Sequence, residues 1–312
     1  MGVVRKCFWG LLFLGVAARC SGAQDLAPRA YVITPDHTNT VTLTYAYYAG
    51  NLEFNGAVPI TGATATASSP IFNYYHSFSF FGRSANFLAA LPYAVGNFQG
   101  HVLGAEKSAY RSGLLDSEFR FSVNLLGGPA MSLAEMQKWK QKVLLGVSLR
   151  VVAPTGQYDP TKLINWGDNR WAFKPEFGYS QRWGKWILDG YAGVWLFTTN
   201  PEYFCHNIYY PGTRSQSERP VTALEGHLSY DVRTRLWLSV DGNFWYGGTT
   251  GLNGLLNPDT RQTSSRVGGT ASFPISKHQS IKVSYSDGAY VRFGGNYQNV
   301  SVAWQYYWIG RP

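Results

Sequence analysis

Apart from a leader at its N-terminus, the chain has almost no cysteine, few charges and no long apolar run. Of the three cysteines in its 312 residues, Cys7 and Cys20 fall in the leader, so Cys205 stands alone and no internal disulfide can form. Charged residues make up 14% of the chain, against about 25% in an ordinary soluble protein. After the leader there is no apolar run of the roughly 20 residues that a membrane-spanning helix requires. The mild mean hydropathy of -0.18 agrees. No Lys/Arg-rich run interleaved with aromatics is present, so the net charge of +9 does not point to nucleic acid. HExxH, CxxC, GxSxG and phosphate-loop patterns are missing too, which removes the usual sequence grounds for metal, nucleophile or nucleotide chemistry.

The leader itself reads as an export signal. Arg5 and Lys6 precede the apolar run CFWGLLFLGVAA, and Ser21, Gly22 and Ala23 supply small residues for cleavage after Ala23. A retained helix is the lesser reading because the run is too short to span a bilayer. Lipidation at Cys20 is disfavoured by Arg19, which stands where such a site needs a small residue. Residues 1–23 are therefore expected to be a cleaved signal peptide and 24–312 the mature chain. Its charge is +6, because Arg5, Lys6 and Arg19 leave with the signal.

What the mature chain does have is alternation. In LLDSEFRFSVNL (114–125), Asp116, Glu118, Arg120, Ser122 and Asn124 share one parity, while Leu115, Phe119, Phe121, Val123 and Leu125 share the other. A strand sends successive side chains to opposite faces, so this segment has one face for hydrocarbon and one for charge and water. The same split recurs at 169–182, 219–232, 235–248 and 296–308, where Pro175 interrupts the apolar parity of the first. Aromatics reach 16%, with 11 Trp and 21 Tyr, as interfacial girdles require.

Twelve strands are expected, at 39–49, 70–81, 84–94, 113–126, 142–154, 169–182, 185–199, 219–232, 235–248, 263–276, 279–291 and 296–308. Short links at 82–83, 183–184, 233–234 and 277–278 alternate with long Gly/Asn/Pro/Ser-rich ones at 50–69, 155–168, 200–218 and 249–262. Short periplasmic turns, longer external loops and an even strand number describe an outer-membrane barrel. The expected fold is all-β: a single antiparallel transmembrane β-barrel of outer-membrane type, in the bacterial outer membrane. Residues 127–141 make a long link where a short one belongs, and Ser132 with Glu135 three residues later suggests a capped periplasmic helix.

The stretches DLAPRAY (25–31), LPYAVG (91–96), PTGQYDP (154–160), NWGDNRWAFKPEFGYS (165–180) and WILDGYAGVWLFTTN (186–200) resemble the proteobacterial outer-membrane family known as MetA-pathway of phenol degradation. The resemblance runs through most of the mature chain and is most specific over 151–200. It implies an outer-membrane barrel with a transport role, found in some members beside genes for degrading aromatic compounds. It brings no catalytic residues and no defined substrate. The chain departs from many such barrels in carrying four residues after Trp308, so Trp308 or Tyr306 is expected to serve as the aromatic signal read by the barrel-assembly machinery.

With apolar parity facing lipid, the lumen receives Asp116, Glu118 and Arg120, then Arg150, then Lys174 and Glu176, and from later strands Asp189, Glu225, His227, Asp241 and Lys282. Two readings compete: an ion-pair network that fills the tube, and a charged path that selects solutes. A lipid hydrolase using His76, His101 or His227 is a third, but nothing in the sequence brings a nucleophile to any of them. Cys205-His206 reads as a solvated loop pair, and the oxygen ligands Asp159, Asp168 and Asn169 lack the dense spacing of a calcium loop. Tyr203, Phe204, Tyr209 and Tyr210 could form a mouth for aromatic solutes or an interfacial belt. The expected protein is no enzyme and uses no cofactor or metal. Its expected partners are outer-membrane lipid, a small organic solute and, during biogenesis, the assembly machinery.

Overall fold

The computed structural model describes residues 27–52, 60–102 and 104–310. The expected signal segment 1–23 lies outside the described residues. The wall begins with β1 (Thr38–Leu52), β2 (Ile60–Phe80), β3 (Arg83–Val102), β4 (Ala105–Leu114), β5 (Ser117–Leu126) and β6 (Val143–Ala153). It continues with β7 (Ala172–Trp183), β8 (Trp186–Phe197), β10 (Val221–Arg233) and β11 (Leu236–Gly247), where β9 (Gln216–Glu218) lies between β8 and β10. After β12 (Thr250–Leu252) and β13 (Leu255–Asn257), the wall ends with β14 (Gln262–Pro274), β15 (Gln279–Val291) and β16 (Gly295–Ile309).

Every wall strand pairs antiparallel with its neighbours, and β1 closes the ring by pairing with both β2 and β16. Its register runs from Thr38 opposite Ile309 to Leu52 opposite Gly295. Strands β4 and β5 pair with the outer and inner parts of β3 and occupy one place in the wall, interrupted at 115–116, so twelve strands make the circuit. Closure pairs the edges that an open sheet would leave, with β4 alone pairing on one side only, which suits a structure whose one described cysteine is free.

The alternation sorts as hydrocarbon outside requires. Phe87, Leu91, Phe177, Leu188, Leu224, Leu238, Phe244 and Val302 are exposed on the outer wall, while Ser122, Ser148, Ser180, Ser229 and Ser239 are buried inside. Exposed Trp183, Trp186 and Tyr306 stand near the short turns, and Trp171, Tyr246 and Tyr93 near the other rim. These are the two aromatic girdles that meet the lipid interfaces.

Two strands are much longer than expected. β2 has 21 residues and β3 has 20, roughly double the 9–11 that cross the hydrocarbon. Part of the expected loop 50–69 is strand, and β3 continues to Val102, which pairs with Ala105 of β4. The outer part of β2 alternates Thr with Ala and Gly, while that of β3 reads VGNFQGHV, with Phe98 packed against Trp166. The external loops also carry a small separate sheet in the order β13, β12, β9.

The link after β5 holds the helix α1 (Leu133–Lys138). Ser132 caps it in a reciprocal box: the Glu135 backbone N–H donates to the Ser132 hydroxyl, and the Ser132 backbone N–H donates to the Glu135 carboxylate at 2.8 Å. These bonds from Ser132 hold the Glu135 carboxyl below its ordinary range. Met131, Met136 and Trp139 pack with Ile33 and Leu144, so the helix stands against the periplasmic mouth.

Candidate functional site in the barrel lumen

Residues 27–37 enter the lumen from the periplasmic end as a strap. The Arg29 guanidinium lies 2.8 Å from Asp231 and 4.3 Å over the Trp237 ring. The Arg29 backbone N–H donates to Asp189 at 3.2 Å, and that of Ala30 donates to the Tyr191 hydroxyl at 3.0 Å. Tyr31, only 1% exposed, hydrogen-bonds Ser148 at 2.9 Å and donates to Glu176 at 3.0 Å.

A pair of glycines makes room for that ring. Gly146 on β6 and Gly178 on β7 are register partners facing inward. A Cβ built on Gly178 would stand 2.2 Å from the Tyr31 ring, and one on Gly146 would stand 2.6 Å from it. Any side chain at either position would displace the tyrosine. The notch and the strap are therefore one fitted unit, and nothing local in the sequence announces it.

Around the strap, the charged residues expected in the lumen fall into particular partnerships. Register places Arg120 opposite Arg150, and Arg150 opposite Lys174, so three cations stand side by side on β5, β6 and β7. Such a row would be destabilising alone. Carboxylates one step away offset it. Glu118 lies 3.3 Å from Arg150, and Lys174 bridges Glu176 at 2.6 Å and Glu225 at 2.7 Å. Arg120 reaches Glu176 at 3.9 Å and sits 4.9 Å over the Tyr31 ring. His227 lies 2.9 Å from Asp241 and 3.8 Å from Glu225, and Asp241 also accepts from Thr270 at 2.8 Å and Ser239 at 3.1 Å.

The remaining candidates do other things. Asp189 accepts from the strap backbone at Arg29 and stands opposite His227 in register. Asp116 lies at the interruption between β4 and β5, and its two oxygens accept backbone N–H groups from Gly156 and Asp168, both at 2.8 Å. It anchors the external loop 154–171 to the wall. Lys282 lines the open space beside the strap.

That loop turns inward, so Trp166 packs against Phe98 with centroids 5.8 Å apart, among Ala67 and Ala94. At its foot, Arg170 makes a buried 2.6 Å ion pair with Glu218 of β9, joining two external loops. Farther out, Lys162 and Thr161 hold the Asp159 carboxyl down at about 2. Cys205 corrects the expectation of a solvated pair: it is fully buried, and its backbone N–H donates to Pro160 at 2.7 Å. Among the described residues no group of three His, Cys, Asp or Glu is placed to hold a metal ion.

Beside the strap and below Trp166 lies a cavity of about 390 Å³. Its wall includes Ile71, Leu88, Trp195 and Phe197 as well as Glu118, Arg150 and Lys282, and Ala27 of the strap also borders it. The strap fills the part of the lumen beside β6, β7, β8 and β10, and the cavity runs past it from Thr42, Lys282 and Gln305 near the short-turn end to Tyr297 and Trp166 toward the external loops. Sequence reasoning missed Arg29, Tyr31, Tyr191 and the glycine pair, because their meaning depends on closure of the ring around a segment far away in the chain.

Comparison with known proteins agrees with this architecture. Residues 41–302 match the family model described as "Putative MetA-pathway of phenol degradation". The fold is similar to that of an outer membrane channel from Pseudomonas putida F1, with a TM-score of 0.73 and 15% identity over 91% of this chain and 100% of that one. A FadL homologue from Pseudomonas aeruginosa has a TM-score of 0.40 and 9% identity over 87% of this chain and 90% of that one. Outer membrane phospholipase A from Escherichia coli has a TM-score of 0.37 and 12% identity over 91% and 95%. Likenesses as distant as these two carry no argument about this barrel. The curated proteins yield no match.

Proposed function

The chain belongs to the MetA-pathway of phenol degradation family, and we propose that it is an outer-membrane channel through which small organic solutes pass passively. The observation that carries this reading is the vestibule: a cavity of about 390 Å³ within the ring, bordered by a segment that is held by noncovalent bonds. A space of that size falls in the range of about 300–1,000 Å³ typical of small-molecule sites. Glu118, Arg150 and Lys282 border it and are the candidates for selecting solutes by charge. Arg120, Lys174, Glu176, Asp189, Glu225, His227 and Asp241 set the inner constriction together with the strap.

The mature unit is residues 24–312, delivered by a cleaved signal and inserted by the assembly machinery. N-terminal sequencing of the protein from outer membranes is expected to begin at Gln24, and a start at Met1 would refute the cleavage. Transport is tested by liposome swelling with neutral and charged solutes, where permeation is expected. Impermeability to all of them would favour the second reading, a closed structural or binding barrel, which draws support from the close fit of Tyr31 in its notch. A lipid hydrolase has less support. His227 is fully buried between Glu225 and Asp241, away from the lipid face, and His76 is bonded to Asn39 at 2.8 Å.

A further inference from the structure

The periplasmic end of the barrel carries an arc of cations. Lys138, Lys140 and Lys142 on the link after β5, Lys185 on the β7–β8 turn, Arg233 at the β10–β11 turn and Lys277 on the β14–β15 turn are all exposed. The order of strands in the wall makes these four connections successive neighbours along the rim. The carboxylates among the described residues at this end are taken up elsewhere. Asp231 lies 2.8 Å from Arg29 and 2.6 Å from Arg182, Glu135 accepts from Ser132 at 2.8 Å, and Asp36 accepts from the His37 backbone at 3.1 Å. The six cations therefore have no acid of the barrel between them.

Depth decides what such an arc meets. The Lys185 Nζ lies 5.8 Å over the Tyr230 ring, which packs on Trp186 with centroids 4.7 Å apart. Trp183 and Trp186, about half exposed on the outer wall, belong to the girdle that marks the edge of the hydrocarbon. The ammonium group is thus held at the depth of lipid phosphates. On the neighbouring link, Trp139 packs toward Ile33, Met131 and Leu144, and buried Gln141 donates to Ser180 at 2.8 Å, which leaves the lysines between them at the surface. The Lys142 carbonyl accepts from the Arg182 backbone N–H at 2.9 Å, so Lys142 stands close to the level of Trp183. Cations gathered just outside a Trp and Tyr belt are attracted to anionic headgroups.

We propose that this arc binds the headgroups of anionic phospholipids in the leaflet facing the periplasm and retains such lipids around the foot of the barrel. The charges are complementary, and the arc continues the lipid-facing wall without a break. An acidic polymer of the periplasm would instead be met by groups projecting well beyond the girdle. The inference concerns the lipid contacts of the barrel and holds whether its lumen is open or closed.

The test uses the full barrel in phosphatidylcholine vesicles with a trace of spin-labelled phosphatidylglycerol or spin-labelled phosphatidylcholine, and compares the fractions immobilised on the protein. Wild type is expected to prefer phosphatidylglycerol about two- to five-fold at low salt and to lose that preference at high salt. Changing all six cations to Gln should bring the preference close to one. The pairs Lys140→Gln/Lys142→Gln and Arg233→Gln/Lys277→Gln should each remove part of it, and they decide the matter should the six-site barrel not fold. Arg219→Gln/Arg261→Gln, at two exposed cations of the external end, should keep most of it. Heat modifiability checks folding. No preference in wild type, an unchanged preference in the folded rim variants, or an equal loss in the external pair would overturn the proposal. Co-sedimentation with isolated peptidoglycan runs beside it. Binding there that needs the arc, with no preference for phosphatidylglycerol, would assign the arc to that polymer and overturn the lipid.

Discussion

The Tyr31 hydroxyl donates to Glu176 across 3.0 Å, so a residue ahead of the first strand is bonded to a carboxylate on β7 deep in the ring. Glu176 also holds Lys174, which holds Glu225. The strap is consequently bonded into the Glu176, Lys174 and Glu225 network of the wall.

If the strap narrows the lumen, loosening it should raise conductance. Tyr31→Ala removes the ring, and Gly178→Ala places a methyl group where the ring now packs, 2.2 Å from it. Both variants are expected to show larger or more frequent openings than wild type in planar bilayers. Gly190→Ala is the control, since a Cβ there meets nothing within 4 Å. It should behave as wild type.

Arg150 tests the vestibule charge. Its partner Glu118 lies 3.3 Å away, so Arg150→Ala leaves a carboxylate bordering the path. The reversal potential in a salt gradient is expected to shift toward cation preference. Arg120→Ala acts elsewhere, because Arg120 stacks on Tyr31 and donates to the Ala30 carbonyl at 3.4 Å. It should mainly change gating. An unshifted reversal potential in a folded Arg150→Ala barrel would remove that residue from selectivity.

Lys174 is 2% exposed and stands between Glu176 and Glu225. Replacing it with Met leaves two carboxylates buried without their shared cation. Removing one partner of a buried ion pair costs about 3–5 kcal/mol, so the folded, heat-modifiable form of Lys174→Met should be lost at a clearly lower temperature. The Lys174→Met/Glu225→Gln double variant should recover part of that loss. Equal melting of wild type and Lys174→Met would show that the bridge contributes little.

The helix α1 gives a pH test outside the membrane. Ser132 holds the Glu135 carboxyl below its ordinary value of 4.5. A depressed carboxylate contributes stability above its unfolded pKa and loses it as pH falls through the folded one. Amide protection over 133–138, measured by hydrogen exchange and corrected for intrinsic rate, is expected to fall as pH drops below about 4.5. Ser132→Ala should lower protection at neutral pH and flatten that dependence.

Much of the wall was legible in the sequence because each strand carries its own two-faced pattern. Glu118, Arg120, Phe119 and Phe121 announce their faces without any knowledge of neighbours. Ser132 and Glu135 likewise mark a helix start within four residues. The outer half of β2 was not legible, since Thr, Ala and Gly there carry no large apolar signal, and in β3 the Gly, Asn, Gln and His of 96–101 surround a single Phe98 that packs on Trp166. Partnerships were the least accessible. Asp116 shares the parity of Glu118, yet it anchors a loop, because the strand breaks at 115–116 and two backbone N–H groups reach it. Tyr31 and Gly178 lie 147 positions apart in the sequence, and their fit exists only after the ring closes.

The most direct test of a strap-gated channel is liposome swelling with a neutral monosaccharide, comparing wild type with Tyr31→Ala at equal amounts of folded barrel. Swelling by wild type and a several-fold faster rate with Tyr31→Ala are expected. Impermeability of both barrels would contradict the channel, and equal rates would contradict the strap as its gate.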